Sequence, residues 1–281
     1  MKVLKRIGKI LIVFLLLVAC LYGFYKVRVS TSGNLNVLII GIDAREGESV
    51  SRSDSLMLAH VNKNHKIVDL ISIPRDSYVY IPAVDREEKI THAHAYAGIE
   101  GTIETVENLF DIQIDKYVEV DFTKMIALVD TLDGIDVTPT ATFCEQDEND
   151  QADSYCFTEG EKEHMDGKNA LAYARHRKSD SDFARAKRQQ EVIKAMVSKV
   201  KSESVVTMFN FYQDVTKISD TDFGVWDIFG YADMAFHDFE LRQSVGEGEG
   251  GMFYDAYYGQ NLWQYYLNDA WLENTKILLQ E

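Results

Sequence analysis

The run Asn36-Val-Leu-Ile-Ile-Gly-Ile42 is apolar almost without interruption, has the length of a strand, and stops abruptly at Asp43. Such a run reads as a buried strand whose carboxyl end opens onto something polar. After a loop to Asp54, Ser55 to Val61 reads as a second strand, Asn62-Lys-Asn-His65 as a turn and Lys66 to Ile73 as a third strand, ended by Pro74. Helix signals run from about Gly101 to Phe110. A strand at Lys116 to Val120 leads into a helix from Phe122 to Leu132, closed by Gly134. Residues 139–160 form an acidic irregular loop, and two helices follow at about Gly167 to Ala174 and Asp182 to Lys201. Residues 203–237 read as helical and Asp238 to Val245 as a strand. Gly246 to Gly251 reads as a flexible link and Gln260 to Leu279 as a final amphipathic helix. Strands alternate with helices without internal repeat, which predicts a layered α/β domain, and the hairpin over residues 55–73 makes its sheet mixed.

Lys2, Lys5, Arg6 and Lys9 precede an apolar run from Ile10 to Tyr25, extended backwards by Ile7 and Gly8. That is a short but sufficient membrane span, and the basic flank favours an inside N-terminus. A cleaved signal peptide lacks a clear small-residue cleavage site, and a lipoprotein box at Leu17-Val-Ala-Cys20 is followed by more apolar residues. The uncleaved anchor is therefore the reading adopted, and every one of the three leaves residues 30–281 outside the cytoplasm. The formal net charge of −16 argues against sequence-independent nucleic-acid binding. Cys144 and Cys156 form the exported pair, and a disulfide between them would close a short acidic loop; the sequence leaves the bond open.

Three clusters carry chemistry. The first is Asp43, Arg45, Arg52 and Asp54, at the end of the buried strand, where open α/β sheets bind ligands. Its carboxylates suit Mg²⁺, which binds through one or two carboxylates plus substrate phosphates; a solvated ion-paired loop is the bland reading. The second is Arg75-Asp76 after Pro74, a planar cation matched to phosphate or else a surface ion pair in a turn. The third is the basic stretch 168–201, holding ten of the 29 Lys and Arg residues. Val192, Ile193, Met196 and Val200 form an apolar arc that projects back onto Asp182, Arg185, Arg188 and Gln189. Charges thus aim inward at a helix N-terminus, where anions are favoured; a phosphate or the protein's own carboxylates must pair them.

Other signals are weaker. Gly246-Glu-Gly-Glu-Gly-Gly251 would repel phosphate through its glutamates, Asp147 to Asp153 lacks the glycine and glutamate of a calcium loop, and His92-x-His94 could place two imidazoles on one strand face but has no further zinc ligands at suitable spacing, which leaves the pair structural.

With these residues in view the chain resembles the LytR–CpsA–Psr family. The matching segments run from Asn36 to Asp43, Arg52-Ser-Asp54, Ser72-Ile-Pro-Arg-Asp76, Lys89 to Tyr96, Val120-Asp-Phe122, Leu128 to Asp136, Asp166 to Arg177 and Asp182 to Gln190. The resemblance implies a single α/β/α layered domain whose mixed central sheet encloses an apolar tunnel for a polyprenyl chain, behind one N-terminal transmembrane helix. The expected layout is a cytoplasmic tail at 1–6, an anchor at 7–25, a linker at 26–35 and an extracellular catalytic domain at 36–281. By resemblance, Asp43 and Asp54 match metal-associated acids. Arg52, Arg75, Arg175, Arg177, Arg185 and Gln189 match pyrophosphate-contacting positions, and Asp182 matches an acid among them. Ala97-Gly98 departs from the family's frequent glycine pair and leaves that backbone open. With nothing beyond residue 281, only the core activity is expected.

The activity so implied is Mg²⁺-dependent transfer of a glycopolymer, such as teichoic acid or capsule, from a polyprenyl-pyrophosphate carrier onto peptidoglycan through a phosphodiester. Arg75, Asp182 and Arg185 are the expected catalytic residues, with Asp182 a candidate base or a helix cap. The alternatives are a non-catalytic polyprenyl-lipid-binding or regulatory membrane protein, and a hydrolase of the lipid pyrophosphate.

Overall fold

A computed structural model describes residues 34–43, 51–147, 151–177, 181–224, 227 and 238–281. The expected tail, anchor, Arg45 and all but the last two residues of the 26–35 linker lie outside the described residues. Among those described, no helix is long and apolar enough to cross a membrane.

Strands β1 (Asn34–Ile42), β2 (Ser53–Asn62) and β3 (Ile67–Ile73) form an antiparallel meander, whose first strand starts two residues before Asn36. The short pair β4 (Tyr78–Ile81) and β5 (Arg86–Lys89) leads into α1 (Thr91–Phe110). Strand β6 (Lys116–Val120) lies parallel to β1 and is followed by α2 (Phe122–Thr131), capped by the Asp121 carboxylate on the Lys124 amide at 2.8 Å. Next come β7 (Ile135–Val137), the hairpin of β8 (Phe143–Glu145) and β9 (Tyr155–Phe157), and β10 (Glu163–Met165). Helices α3 (Gly167–Arg175), α4 (Asp182–Ser202) and α5 (Val205–Ile218) precede β11 (Asp220–Thr221), β12 (Glu240–Val245), β13 (Gly248–Asp255), β14 (Gln260–Leu267) and α6 (Asp269–Gln280). The six-stranded sheet has the order β11-β6-β1-β2-β3-β12, with β1–β6 and β3–β12 parallel and the rest antiparallel. The mixed sheet predicted from the sequence is present.

Strand alternation divides the two faces of this sheet. Leu38, Ile40 and Ile42 join Leu56, Leu58 and Ile71 in a core closed by Val106 and Phe110 of α1 and Leu279 of α6. The opposite face carries Val37, Ile39, Met57 and Val118 beneath α2, α4 and α5. A second core gathers Val129, Ile135, Phe143, Phe157, Tyr173 and Val192 around α3 and the β8–β9 hairpin.

Four expectations need correction. The glycine-rich segment 246–251 is not a flexible link: from Gly248 it is strand β13, paired in register with β14. The expected helix from Gln260 to Leu279 is strand β14 followed by the shorter α6, started by Asn268, whose side chain accepts from the Ala270 and Trp271 amides. His92 and His94 belong to helix α1, not to a strand, so they do not share a strand face. Of the helical stretch expected over 203–237, α5 ends at Ile218 and β11 follows; most of the remainder lies outside the described residues.

Two glycines do conformational work. Gly134 has φ +81° and terminates the turn after α2, as the sequence predicts. Gly98 takes φ +63° at a kink inside α1, while Ala97 takes a φ of −143° that any residue accepts. Only the second position of the frequent glycine pair therefore needs glycine here. Cys144 and Cys156, partners across the β8–β9 ladder, are joined by a disulfide.

Candidate functional site

The sheet face opposite α1 does not pack tightly. Between it and α2, α4 and α5 lies a cavity of about 750 Å³, within the usual range for ligand pockets. Its walls are Val37 and Ile39 of β1, Met57 and Val61 of β2, Val118 of β6, Met125 of α2, and Ile193, Met196, Val197 and Val200 of α4. Helix α4 lines it from Arg185 to Lys201, about 24 Å at the helical rise.

One end is polar. Asp43, Asp54, Ser55, Arg175, Arg177, Arg185 and Gln189 all line the cavity, where the carboxyl end of β1, the start of β2, the end of α3 and the N-terminus of α4 converge. The Arg75 guanidinium donates to the Asp54 carboxylate at 2.7 Å, and its own Asp76 lies 3.9 Å away. Asp182 is 3.2 Å from both Arg177 and Arg185. The Ser55 hydroxyl donates to the Gln189 side-chain oxygen at 2.9 Å. Arg175 lies over the Phe122 ring, 4.3 Å from its centre, an arrangement that fixes a cation without neutralising it. Arg185 is buried, and burial pulls its guanidinium below the usual arginine range; Asp182 opposes this, Arg75 and Arg177 add to it, and Asp54 opposes it. Arg177 and Arg185 thus share the one Asp182 carboxylate, Arg75 is paired with Asp54, and Arg175 meets an aromatic ring, so arginines gather at the mouth of an apolar space.

Seven of the expected site residues line this one mouth or pair there: Asp43, Asp54, Arg175, Arg177, Arg185, Gln189 and Asp182. Arg75 stands one step behind, through Asp54. Arg52 is exposed and outside the lining; its carbonyl accepts the Asp43 amide at 3.4 Å. Arg188 is a correction. It turns away from the cavity into the second core, where its Nη2 donates to the His176 carbonyl at 2.7 Å and its guanidinium sits 5.1 Å from the Phe143 ring centre. Val192 goes with it, because both lie at the edge of the arc that faces α3. Asp182 does not cap α4; the Ser181 hydroxyl accepts the Ala184 amide, leaving Asp182 in the first turn, where a carboxylate is favoured.

Sequence reasoning missed Ser55, Phe122 and Gln190. The buried Gln190 amide nitrogen, with two N–H donors, lies within hydrogen-bond distance of the Ser244 carbonyl at 2.7 Å, the Ser72 hydroxyl at 2.8 Å and the Leu70 carbonyl at 3.2 Å, tying α4 to β3 and β12. The Gln189-Gln190 pair was the available signal: neighbours on a helix face different ways, and two amides beside an apolar arc need two sets of partners.

Fold and site define a mixed-sheet α/β protein with an apolar cavity behind an arginine-rich mouth, suited to an amphiphile with an anionic head. Residues 23–269 match the model of the LytR_cpsA_psr family, and the chain belongs to that family. It is 37% identical over 199 residues to polyisoprenyl-teichoic acid–peptidoglycan teichoic acid transferase TagU of Bacillus licheniformis, covering 69% of this chain and 62% of that relative. The matched part of the chain thus spans less than two thirds of that relative's length. A solved structure of TagT bound to LIIa-WTA superposes with a TM-score of 0.74 at 33% identity, covering 89% of this chain and 90% of that one. LytR-CPS2A-psr family protein YwtF (TagT) with bound octaprenyl pyrophosphate lipid superposes with a TM-score of 0.70 at 30% identity, with the same coverage.

Proposed function

We propose that this chain is a phosphotransferase that moves a glycopolymer from a polyprenyl-pyrophosphate carrier onto peptidoglycan. The observation that carries the reading is the apolar cavity with its arginine-rich mouth; the relatives' transferase names and the octaprenyl pyrophosphate bound in a similar structure support it. The prenyl chain lies in the cavity, the pyrophosphate at the mouth, and the sugar outside.

An acceptor hydroxyl of peptidoglycan attacks the sugar-linked phosphorus, the P–O bond of the anhydride breaks, and polyprenyl phosphate leaves with the bonding pair. Positioning and charge neutralisation dominate such reactions. Arg75, Arg175, Arg177 and Arg185 neutralise the anhydride oxygens, and Arg52 and Gln189 contact the pyrophosphate from the rim. Asp182 orients Arg177 and Arg185 and takes the acceptor's proton once the substrate phosphates have engaged those arginines.

Mg²⁺ belongs to the same reading, with Asp43 and Asp54 as its protein carboxylates. Both carboxylates line the mouth, and one or two carboxylates suffice for a Mg²⁺ that takes its other ligands from substrate phosphates and water. When bound, it supplies further neutralisation of phosphate charge. The segment 7–25 tethers the domain to the outer face of the cell membrane.

The test uses the purified chain, a labelled glycan–pyrophosphate–polyprenyl donor and a peptidoglycan acceptor, with Mg²⁺ or a chelator. Label appears on peptidoglycan only with Mg²⁺, and Arg75→Ala abolishes it without loss of fold. Donor binding without turnover would replace the transferase with a lipid-binding role, and free glycan phosphate would replace it with a hydrolase.

A further inference from the structure

Beside the donor mouth stands a wall of tyrosines that the reading above does not use. Tyr96 of α1 and Tyr257 and Tyr258 at the tip of the β13–β14 hairpin are 42%, 67% and 42% exposed. They are held in place rather than left to solvent. The Arg86 guanidinium lies 3.9 Å from the Tyr257 ring centre and 5.3 Å from that of Tyr96. Tyr258 stands edge-on to Tyr257, centres 4.9 Å apart at 87°. Beneath them Glu88, 2% exposed, accepts from the hydroxyls of Tyr96 at 3.2 Å and Tyr258 at 3.0 Å, and from Arg86 at 3.3 Å. A buried carboxylate thus fixes two phenols and a guanidinium, and the guanidinium steadies the most exposed ring. Rigid, half-exposed tyrosines give contact area at little entropic cost.

Two contacts tie the wall's supports to residues next to the mouth. At the hairpin's base the Tyr265 amide donates to the Asp76 carbonyl at 3.1 Å, and Ser77 and Tyr265 form a β-bridge, directly after Arg75. At the hub, the other Glu88 oxygen lies 3.2 Å from His92. Burial lowers the His92 pKa, Glu88 opposes this, and Arg52 is close enough to lower it further.

Charge selects the ligand. Residues 243–275 contain no Lys, Arg or His, Asp85, Glu87 and Glu88 flank Arg86 in the sequence, and Asp255 holds the Tyr257 and Tyr258 amides. An acidic wall repels a phosphate-bearing chain and an anionic bilayer surface alike. It suits a neutral, hydroxyl-rich ring, with an apolar face to lie on a phenol and hydroxyls to meet tyrosine oxygens. We infer that the wall formed by Tyr96, Tyr257, Tyr258 and Arg86 on Glu88 is an acceptor subsite that takes an uncharged N-acetylhexosamine glycan and aims its hydroxyl at the mouth. The inference rests on the proposed function and adds where the acceptor binds.

A soluble β-1,4-linked N-acetylhexosamine tetramer is titrated calorimetrically into the full chain, into Tyr257→Ala and into Tyr96→Phe. Octaprenyl pyrophosphate is titrated in parallel. Tyr257→Ala weakens tetramer binding about tenfold, in line with loss of one stacked ring. Tyr96→Phe, which removes only a hydroxyl, weakens it less, and both variants bind octaprenyl pyrophosphate as the parent does. In the transfer assay the acceptor KM rises while kcat at saturating acceptor holds. A parent chain that binds octaprenyl pyrophosphate but not the tetramer, or equal tetramer affinity for Tyr257→Ala, overturns the subsite. A parent chain that fails to bind octaprenyl pyrophosphate overturns the functional reading beneath it.

Discussion

Breaking the Cys144–Cys156 bond should weaken donor binding, although neither sulfur lies at the mouth. The bond joins the central pair of a three-pair ladder, between Phe143↔Phe157 and Glu145↔Tyr155. The two β8 residues beside Cys144 grip one side chain. Phe143 stacks on His176 with centres 3.9 Å apart at 16°, and Glu145 reaches the His176 ring at 2.9 Å. Arg188 holds the His176 carbonyl at 2.7 Å. His176 is 2% exposed and stands between Arg175 and Arg177, both of which line the cavity. The disulfide therefore braces the hairpin that fixes the backbone presenting two of the four arginines.

The loop has a sequence separation of 12, for which closure entropy gives about 3 kcal/mol at 25 °C. For a domain of this size that lowers Tm by roughly 6–12 °C. If about 1 kcal/mol of it is expressed as freedom of the arginine segment, donor affinity falls about fivefold. Both quantities are measured with the double variant Cys144→Ser/Cys156→Ser, by thermal unfolding and by octaprenyl pyrophosphate titration, with His176→Ala alongside. A lowered Tm with unchanged affinity in both variants would refute the bracing argument and leave the bond a local staple.

Gln190→Leu removes the amide that serves the Ser244 and Leu70 carbonyls and the Ser72 hydroxyl, and should cost about 2–4 kcal/mol of stability, read by denaturant unfolding. Ile39→Trp places a ring in the cavity; blocking three methylenes of the ligand tail at about 0.8 kcal/mol each weakens octaprenyl pyrophosphate binding about 50-fold, with little change in Tm. The His94 imidazole meets Glu119 at 2.7 Å and the Ser51 carbonyl at 2.9 Å. Burial lowers its pKa, but these partners outweigh it and the net shift is upward. The stability this pair supplies is thus complete below the unfolded histidine pKa of about 6.5 and fades as pH rises through the raised folded value. The difference in unfolding free energy between parent and His94→Asn should shrink over that range; a difference independent of pH would refute the assignment.

The meander was legible because each of its elements carries its own signal: an apolar run, a polar turn, and a proline after the last strand. The arginines of the mouth were legible for a related reason. Arg75, just past a strand end, and Arg185, in the first turn of a helix, stand where the backbone itself leaves polar groups unpaired, so their placement says more than their number. The C-terminal hairpin was not legible. Leu262, Trp263, Tyr265, Tyr266 and Leu267 satisfy a helical stripe as well as a strand, and Gly248, Gly250 and Gly251 look like a linker. What decides the strand is Asp255. Buried at the turn, it accepts the Tyr257 and Tyr258 amides, the Tyr78 hydroxyl and the Gln264 amide, and the partners at Tyr78 and Gln264 are visible only once the chain has folded.

The cavity marks the deeper limit. Val37, Ile39, Met57, Ile193 and Met196 have the composition of an ordinary core, and a sequence does not say whether two apolar faces meet or stand apart. Here the separation has an identifiable cause at each end. At the mouth, Arg185, Gln189 and Ser55 occupy the space between α4 and β2 with polar groups that cannot collapse into hydrocarbon. Along the side, the Gln190 side-chain amide fixes α4 to β3 and β12, so α4 is anchored at the sheet's edge and bridges its centre instead of lying on it. Arg185, one of the arginines of the mouth, therefore also helps keep the apolar space behind it open. On this argument, substitutions that make the mouth apolar should close the cavity as well as discharge it, so that loss of head-group binding and loss of tail binding come together.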